Sequence, residues 1–174
     1  MTTNALISII CPDRVGLVAD ISGCLFDLGG NLNDTTFAVL GGGAEFTTVC
    51  DVPNDVSLEY VEGALRALKE LSEAEISVTP FSYAPVHGET AKITHDIVLC
   101  GGNRPGLIAR LCEVFVQFSA NVVRLNAEKI PGPGDGDYAI SIKAFIPQAS
   151  AASCLATIAN TAGELGLNCT HREL

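Results

Sequence analysis

Residues 11–17 read Cys-Pro-Asp-Arg-Val-Gly-Leu, and the related stretch Asn-Arg-Pro-Gly-Leu stands at residues 103–107. A single ungapped offset of 90 residues places Arg14 on Arg104, and the glycine and leucine that follow them also coincide. The apolar positions of the segment after each stretch repeat at the same offset. Because self-similarity at a fixed distance is the signature of a repeated structural unit, the sequence predicts an internal duplication.

The repeat divides the 174 residues into a first unit at 1–83, a linker at 84–92 and a second unit at 93–174. The linker is predicted where proline, glycine and charged residues interrupt the apolar pattern. Hydrophobic residues make up 48% of the chain and charged residues 17%, which is more core material than two small monomeric units need. We therefore expect apolar surface to be buried between units or between chains, as in a homodimer.

Charge and apolar run length restrict the partners of the chain. Ten Lys and Arg against twenty Asp and Glu give a net charge of −10, which opposes attraction to nucleic-acid phosphates. No apolar run approaches the roughly 18 residues of a membrane-spanning helix, and the N-terminus lacks the pattern of an export signal. The seven cysteines are scattered without a Cys-x-x-Cys pair and are expected to be reduced. We expect a cytoplasmic protein that binds neither nucleic acid nor membrane directly.

Each copy is predicted to follow the order β-α-β-β-α-β. Apolar residues recur at helical spacing in residues 15–29, 56–71, 105–119 and 151–165. The predicted strands are residues 5–10, 32–40, 45–52, 74–83, 93–100, 122–130, 138–146 and 167–172, with hairpin loops at 41–43 and 131–136. Right-handed crossovers then give two α+β, ferredoxin-like units, each a four-stranded antiparallel sheet in the order 4-1-3-2 with two helices on one face.

The turn between the first strand and the first helix of each copy combines features of a site for a small polar ligand. The N–H groups at a helix N-terminus lack partners and carry the positive end of the helix dipole, so they can receive a carboxylate. Gly16 and Gly106 are predicted in that first helical turn, where a missing Cβ lets a ligand approach closely. Pro105 suits the first helical position. Asp13 and Asn103 can present a polar group to a ligand ammonium or amide.

Asn31 and Asn121 begin the second strand of their copies, and we expect them to converge on the same site, because an amide both donates and accepts hydrogen bonds. Structural interpretations of all these residues remain open. Asp13 and Asn103 are also typical turn or capping residues, and the two other asparagines suit a left-handed turn after a helix. The glycines suit tight strand-to-helix packing, and the arginine of each stretch suits a solvated surface. The coincidence of all these residues at one offset favours the binding site.

The two stretches resemble the ACT domain family, in which a strand leads through Asp/Asn-Arg-Pro-Gly-Leu/Ile into an amphipathic helix and Gly-x-Asn-Ile opens the next strand. This chain has Asp-Arg-Val-Gly-Leu with Gly-Gly-Asn-Leu in the first copy and Asn-Arg-Pro-Gly-Leu with Ser-Ala-Asn-Val in the second. Through the run at residues 31–47 it is also similar to the tandem ACT proteins related to the glycine cleavage system transcriptional repressor. The resemblance covers nearly the whole chain.

The resemblance implies amino-acid sensing, in which ACT units pair and a ligand lies between the strand-to-helix turn of one unit and residues of its neighbour. The second copy matches the amino-acid-binding pattern more closely. In the first copy, Val15 replaces the usual proline, and the Asp13 carboxylate repels a ligand carboxylate at short range. By matching position, the expected ligand-binding residues are Asp13, Arg14, Gly16, Leu17 and Asn31 in the first copy and Asn103, Arg104, Gly106, Leu107 and Asn121 in the second.

The resemblance also implies a regulatory protein partner, such as a transcriptional activator, because the related repressor acts on a DNA-binding activator and not on DNA. The net charge of −10 agrees with this expectation. Glycine and serine are the first amino acids to test. Two alternatives remain open, namely a ligand-free protein-interaction module and a separate regulatory subunit of an amino-acid-metabolic enzyme.

No residue pattern favours catalysis, a metal or a cofactor. His87 falls in the linker, and His95 stands beside Asp96 at a strand start. Cys169 and His171 would share one face of a strand, but two further ligands for a metal are not evident. No G-x-G-x-x-G follows a strand and opens a helix, so a nucleotide site is not indicated. We therefore expect a regulatory protein without enzyme activity, metal or cofactor.

Overall fold

The computed structural model of the chain describes residues 2–84, 86–131 and 137–174. Its internal contacts divide the chain into two compact units, Met1–Tyr83 and Ala84–Leu174. Each unit has a hydrophobic core of its own. Most of the hairpin loop predicted at 131–136 lies outside the described residues.

The first unit has the predicted order of elements. Its strands are β1 (Thr2–Pro12), β2 (Asn31–Leu40), β3 (Gly43–Pro53) and β4 (Glu75–Pro80), and its α-helices are α1 (Leu17–Asp27) and α2 (Leu58–Ala67), followed by a short 3-10 helix at Lys69–Leu71. The sheet is antiparallel with the order β2-β3-β1-β4. The predicted strand order is therefore confirmed, and β2 and β4 form the two edges of the sheet.

The second unit repeats this topology. Its strands are β5 (His95–Gly102), β6 (Asn121–Ile130), β7 (Asp137–Phe145) and β8 (Leu167–Glu173), and its α-helices are α3 (Leu107–Gln117) and α4 (Ala151–Glu164). The sheet order is β6-β7-β5-β8, so β6 takes the edge position that β2 has in the first unit. Short 3-10 helices lie at Gln148–Ser150, before α4, and at Glu89–Ala91, within the segment predicted as a linker.

Alternation along the central strands places both helices of a unit on one face of its sheet. Ile7 and Ile9 of β1 are fully buried, whereas Ile10, on the opposite face of the same strand, is 52% exposed. The buried face of α1 packs in the same core. In the second unit the corresponding core residues are Ile97, Leu99, Leu107, Leu111 and Phe115. Burying one such side chain contributes about 1.5–3 kcal/mol, so these residues fix the position of each helix.

The first helix of each unit begins two residues later than predicted, because the glycine before it is not helical. Gly16 has φ 97° and Gly106 has φ 81°, both in the left-handed region, and α1 and α3 start at the following leucine. The predicted place of Pro105 at the first helical position is therefore wrong, since it lies two residues before α3. Both helices end near the predicted residues; Gly29 follows α1 with φ 75° and donates its N–H to the Phe26 carbonyl over 2.8 Å.

Each of the edge strands β2 and β6 carries a bulge near its start. The register of β2 against β3 shifts between Leu32 and Thr35, and that of β6 against β7 shifts between Val122 and Arg124. A bulge adds one residue to the strand and re-aims the side chains that follow it. Because the bulge occurs at matching positions, it belongs to the duplicated unit.

Candidate ligand-binding turns

The first strand-to-helix turn lies at the hairpin end of its sheet. The Asp13 N–H donates to the Gly42 carbonyl over 3.0 Å, which fastens the turn to the loop between β2 and β3. Residues 13–19 and Phe37 of β2 surround a depression of about 430 Å³. Two apolar side chains at this depression are open to solvent: Val15 is fully exposed and Phe37 is 41% exposed. The first turn thus presents a carboxylate and an arginine beside an apolar surface.

The second turn has the same backbone and a different lining. Asn103, Arg104 and the start of α3 surround a smaller depression of about 220 Å³, which Tyr138 of β7 closes on one side. The Arg104 Nη2 lies 3.7 Å from the position that a Cβ would take on Gly166, so this side chain reaches toward the turn between α4 and β8. The second turn therefore presents an amide, a guanidinium and a phenol.

Neither Asp13 nor Asn103 caps the helix that follows. Gly16 and Gly106 hold the N-cap positions and have no side-chain oxygen that could accept from the helix N–H groups. No side-chain hydrogen bond of Asp13 or Asn103 occurs within the described residues. The capping interpretation of the two polar residues is therefore not supported. The first N–H groups of α1 and α3 stay available for an anion, and the helix dipole favours a negative charge at that point.

The two leucines expected at the sites serve mainly the core. Leu17 and Leu107 are each only 2% exposed and belong to the hydrophobic clusters of their units. Each leucine also contributes to the lining of the depression at its own turn. Their burial anchors the first turn of each helix, and this anchoring fixes the direction of the N–H groups.

The expectation that each strand-start asparagine converges with the turn of its own unit is wrong. Asn31 pairs with Asp51, whereas the turn lies beside the opposite end of β2, where Leu40 pairs with Gly43. A ten-residue strand spans about 30 Å, so the two features lie at opposite ends of the sheet. Asn121 has the same place in β6. A site that uses both a turn and an asparagine needs a second unit to supply one of them.

The amides of the two asparagines have different partners. Asn31 donates to the Asn33 side-chain oxygen over 3.3 Å, a local contact within β2. Asn121 donates to the Thr90 carbonyl over 2.9 Å, which ties the start of β6 to the 3-10 helix at Glu89–Ala91. The segment before β5 therefore occupies one of the two amide hydrogens that the sequence pattern assigns to a ligand.

Several cysteines have thiols with a raised pKa, because burial disfavours the thiolate. Burial raises the pKa of the Cys11 thiol next to the first turn; Arg14 opposes this shift and Asp13 adds to it. Burial likewise raises the pKa of Cys50, Cys154 and Cys169. Since the thiolate is the reactive form, none of these four cysteines is activated as a nucleophile at neutral pH. In the part of the chain that the structure describes, no group of three or more His, Cys, Asp or Glu residues could hold a metal ion.

Sequence reasoning missed three residues near these features. Phe37 and Tyr138 line the two depressions, and Thr90 binds Asn121. Phe37 and Tyr138 lie in correctly predicted strands, but only the strand register shows that they end beside the turns. Thr90 lies in a polar segment without periodicity, so no sequence signal could have identified its contact.

Among the helices of the described ranges, none is long and apolar enough to cross a membrane.

No family model matches the chain. No curated protein matches it either. Among solved structures, an unknown protein from Galdieria sulphuraria is 22% identical, with a TM-score of 0.76, and the match covers 100% of this chain and 99% of that one. A protein proposed to be a glycine cleavage system transcriptional repressor is 15% identical, with a TM-score of 0.69 over 100% of this chain and 98% of that one.

An ACT domain protein from Streptococcus pneumoniae, 22% identical, matches 46% of this chain and 91% of its own with a TM-score of 0.41. The two full-length matches at such identities establish the fold and nothing beyond it. Together with the observed strand order, they confirm the predicted tandem ACT fold of two ferredoxin-like units.

Proposed function

We propose that this chain is a non-enzymatic regulatory protein of the cytoplasm, which binds a free amino acid and thereby changes its contact with a protein partner. The observation that carries the proposal is the pair of strand-to-helix turns with left-handed glycines and uncapped helix N-termini. A fold that repeats such a turn at one offset, with polar residues beside it each time, presents two matched anion-accepting positions.

The second turn is the better amino-acid site. Its helix N-terminus offers N–H groups to a carboxylate, and nothing lies within 4 Å of the position of a Cβ on Gly106, so the backbone is open to a ligand. The Asn103 amide can accept from an ammonium without repelling the carboxylate. A depression of about 220 Å³ suits a small amino acid, which is why glycine and serine come first.

A homodimer supplies the missing part of the site. Since Asn31 and Asn121 lie at the far end of their strands, an asparagine must reach a turn from another unit. When two edge strands pair antiparallel, the start of one lies beside the end of the other. Pairing between edge strands of two copies would thus bring an asparagine of one chain to a turn of the other, and would cover the free edge.

A bound ligand regulates only through its different affinity for two arrangements of the protein. A ligand held by a turn of one chain and an asparagine of its partner stabilises the paired arrangement, which alters the surface offered to a regulatory protein. Similarity in fold to a protein proposed to be a glycine cleavage system transcriptional repressor supports such a partner. The net charge of −10 supports contact with a protein and not with DNA.

The first turn favours a second candidate function, that of a protein-interaction module without a small ligand. Val15 and Phe37 are exposed apolar side chains beside the Asp13 carboxylate, a combination suited to a protein surface and unfavourable for an amino-acid carboxylate. The two functions are compatible if the second turn binds the ligand and the first contacts the partner.

A thermal-shift screen of the purified chain against the twenty amino acids tests the proposal. An amino acid at about 100 times its dissociation constant should stabilise the folded state by roughly 2.7 kcal/mol and raise the midpoint by a few degrees. The Asn121→Ala variant should lose the shift, whereas the matched control Asn126→Ala, on the same strand, should keep it. If no amino acid shifts the wild type, the interaction module without a ligand becomes the better account.

A further inference from the structure

The second unit contains a cavity that has no connection with the two turns. It lies between α4 and the edge strand β8 and has a volume of about 520 Å³, within the range of small-molecule sites. One wall is apolar and consists of four alanines of α4 with Leu155. The other wall is polar and includes His95, His171 and Glu173.

Strand register explains why three polar side chains meet there. Glu173 is directly opposite His95 across the β5–β8 pair, and His171 is opposite the fully buried Ile97 two positions along. Residues that alternate with a period of two share a face, so all three point to the helix side of the sheet. Two imidazoles and a carboxylate therefore face the alanines of α4.

His95 is held firmly and keeps one ring nitrogen free. The residue is only 5% exposed, and its Nδ1 lies 2.9 Å from the Thr94 Oγ1. That hydroxyl also accepts the Ile146 N–H over 2.9 Å and lies 3.3 Å from the Ala144 carbonyl oxygen. With the hydroxyl hydrogen directed to that carbonyl, the second lone pair accepts Nδ1–H, and the Nε2 lone pair is left as an acceptor. No hydrogen bond joins Nε2 to another side chain or to the backbone in the described part of the chain, and Nε2 is not one of its buried atoms without a partner.

The first unit shows that the fold does not require this polar wall. Its register places Ala5 opposite Pro80 and Ile7 opposite Val78, so these positions are apolar where the second unit has His95, Glu173 and His171. Packing alone is therefore satisfied by alanine, valine and proline. Packing therefore does not explain His95, which is an addition in one copy and leaves a ring nitrogen for a ligand or for water.

The helix side of the cavity also differs between the units, because a large side chain in the first unit is replaced by alanine in the second. Aligning the buried pair Val61 and Leu65 of α2 with Cys154 and Ile158 of α4 places Arg66 on Ala159. Arg66 spans the groove of the first unit: its Nη2 donates to the Ile76 carbonyl of β4 over 3.0 Å and to Glu62. In α4 the alanines leave that space open.

We propose that this cavity binds a small primary amine with an apolar or aromatic body. The body would lie on the alanines and Leu155, and the ammonium would donate to the His95 Nε2 and to the Glu173 carboxylate. Glu173 forms no ion pair with any residue in the described ranges, so its charge is available to a ligand. An anionic ligand is disfavoured by that carboxylate and by the net charge of −10.

Phenethylamine and 3-phenylpropionate, which have bodies of similar size and opposite charges, are the probes for the test. Calorimetric titration should give saturable binding of the amine in about the millimolar range, as expected of a fragment-sized ligand, and no saturable binding of the carboxylate. Histidine side-chain NMR signals should locate the amine, with the His95 signals shifting on binding.

Two variants and one control connect the binding to these residues. His95→Ala, which introduces the residue of the first unit, should weaken phenethylamine binding about tenfold, since it removes a hydrogen bond to a charged group. Glu173→Gln should weaken it about threefold, as expected for an exposed ion pair. Glu164→Gln, at the end of α4 and outside the cavity, should leave the affinity unchanged.

The proposal is overturned if phenethylamine does not saturate, if 3-phenylpropionate binds equally well, or if the amine binds His95→Ala with wild-type affinity. Should His95→Ala fail to fold, Glu173→Gln decides alone, because Glu173 is exposed and its replacement does not disturb the core. None of these measurements involves the strand-to-helix turns, so the result is independent of amino-acid sensing.

Discussion

The two strand-to-helix turns share a backbone and differ in side chains. Both have a left-handed glycine before the helix, and both bury the next leucine. Around this common frame the first turn has Asp13, Val15 and Phe37, whereas the second has Asn103, Pro105 and Tyr138. The duplicated fold therefore dictates the direction of the helix N–H groups, and the side chains decide which chemistry can approach them.

The copies differ in backbone packing just before the turns, at Cys11 and Gly101. A Cβ on Gly101 would lie 2.6 Å from the Gly166 carbonyl oxygen and 3.0 Å from the Leu167 Cδ2, whereas the first unit accommodates a cysteine side chain there. Gly101→Ala should lower the free energy of unfolding of the second unit by about 1–3 kcal/mol, as overpacking does.

Urea denaturation of the full chain measures this effect. Gly102→Ala is the matched control, because nothing lies within 4 Å of a Cβ at that residue, and it should be close to neutral. Equal stability of the two variants would mean that β8 does not approach β5 as closely as described, and the contrast between the copies would disappear.

The shared frame predicts equal costs for the turn glycines. Gly16→Ala and Gly106→Ala should each reduce the free energy of unfolding by about 1–2 kcal/mol, because an L-residue is strained at φ 97° and φ 81°. Gly23→Ala, in the interior of α1 with open space around it, should instead stabilise by up to about 1 kcal/mol. Thermal melts compare the three; a marked inequality between Gly16→Ala and Gly106→Ala would refute the common frame.

Exchanging the polar residues tests whether side chains decide ligand binding. Under the proposed function, Asp13→Asn removes a charge that repels the ligand carboxylate and should strengthen binding at the first turn by about 1 kcal/mol, or roughly fivefold. Asn103→Asp should weaken the second turn by a similar factor. Calorimetry with the amino acid found in the thermal screen reports both the affinity and the number of sites. Unchanged titrations for both variants would exclude the turns as the ligand site.

The fold could be predicted because two independent signals agree on it. Periodicity predicted the elements, and the offset of 90 residues predicted the duplication. The right-handed crossovers of a β-α-β-β-α-β unit then predicted the strand order. The helix starts were missed because Gly16 and Gly106 read as first-turn residues, and a left-handed φ is not visible in a sequence. The asparagines were misplaced because pattern matching gives order along the chain, whereas a strand of about 30 Å separates them from the turns.

The polar wall at His95 could not be predicted for a similar reason. His95, His171 and Glu173 are ordinary strand residues until the β5–β8 register sets them side by side. The offset comparison does place Ala5 on His95, which marks the position as different between the copies. A position where the two copies differ in this way contributes nothing to the prediction of the fold or of the duplication, so its meaning became clear only from the structure.

The smallest expected effect concerns the asparagines, where the copies differ by one contact. The Asn121 amide donates to the Thr90 carbonyl over 2.9 Å, while the Asn31 amide donates only to Asn33 over 3.3 Å. Asn121→Ala should release the segment around Thr90 at a cost of about 0.5–1 kcal/mol, typical of one hydrogen bond. Limited proteolysis should then cut that segment about two- to fivefold faster, if local opening precedes cleavage. Asn31→Ala, the matched control, should not change the rate. If both variants are cut at the wild-type rate, the contact does not restrain the segment, and an amino acid could reach Asn121 without displacing it.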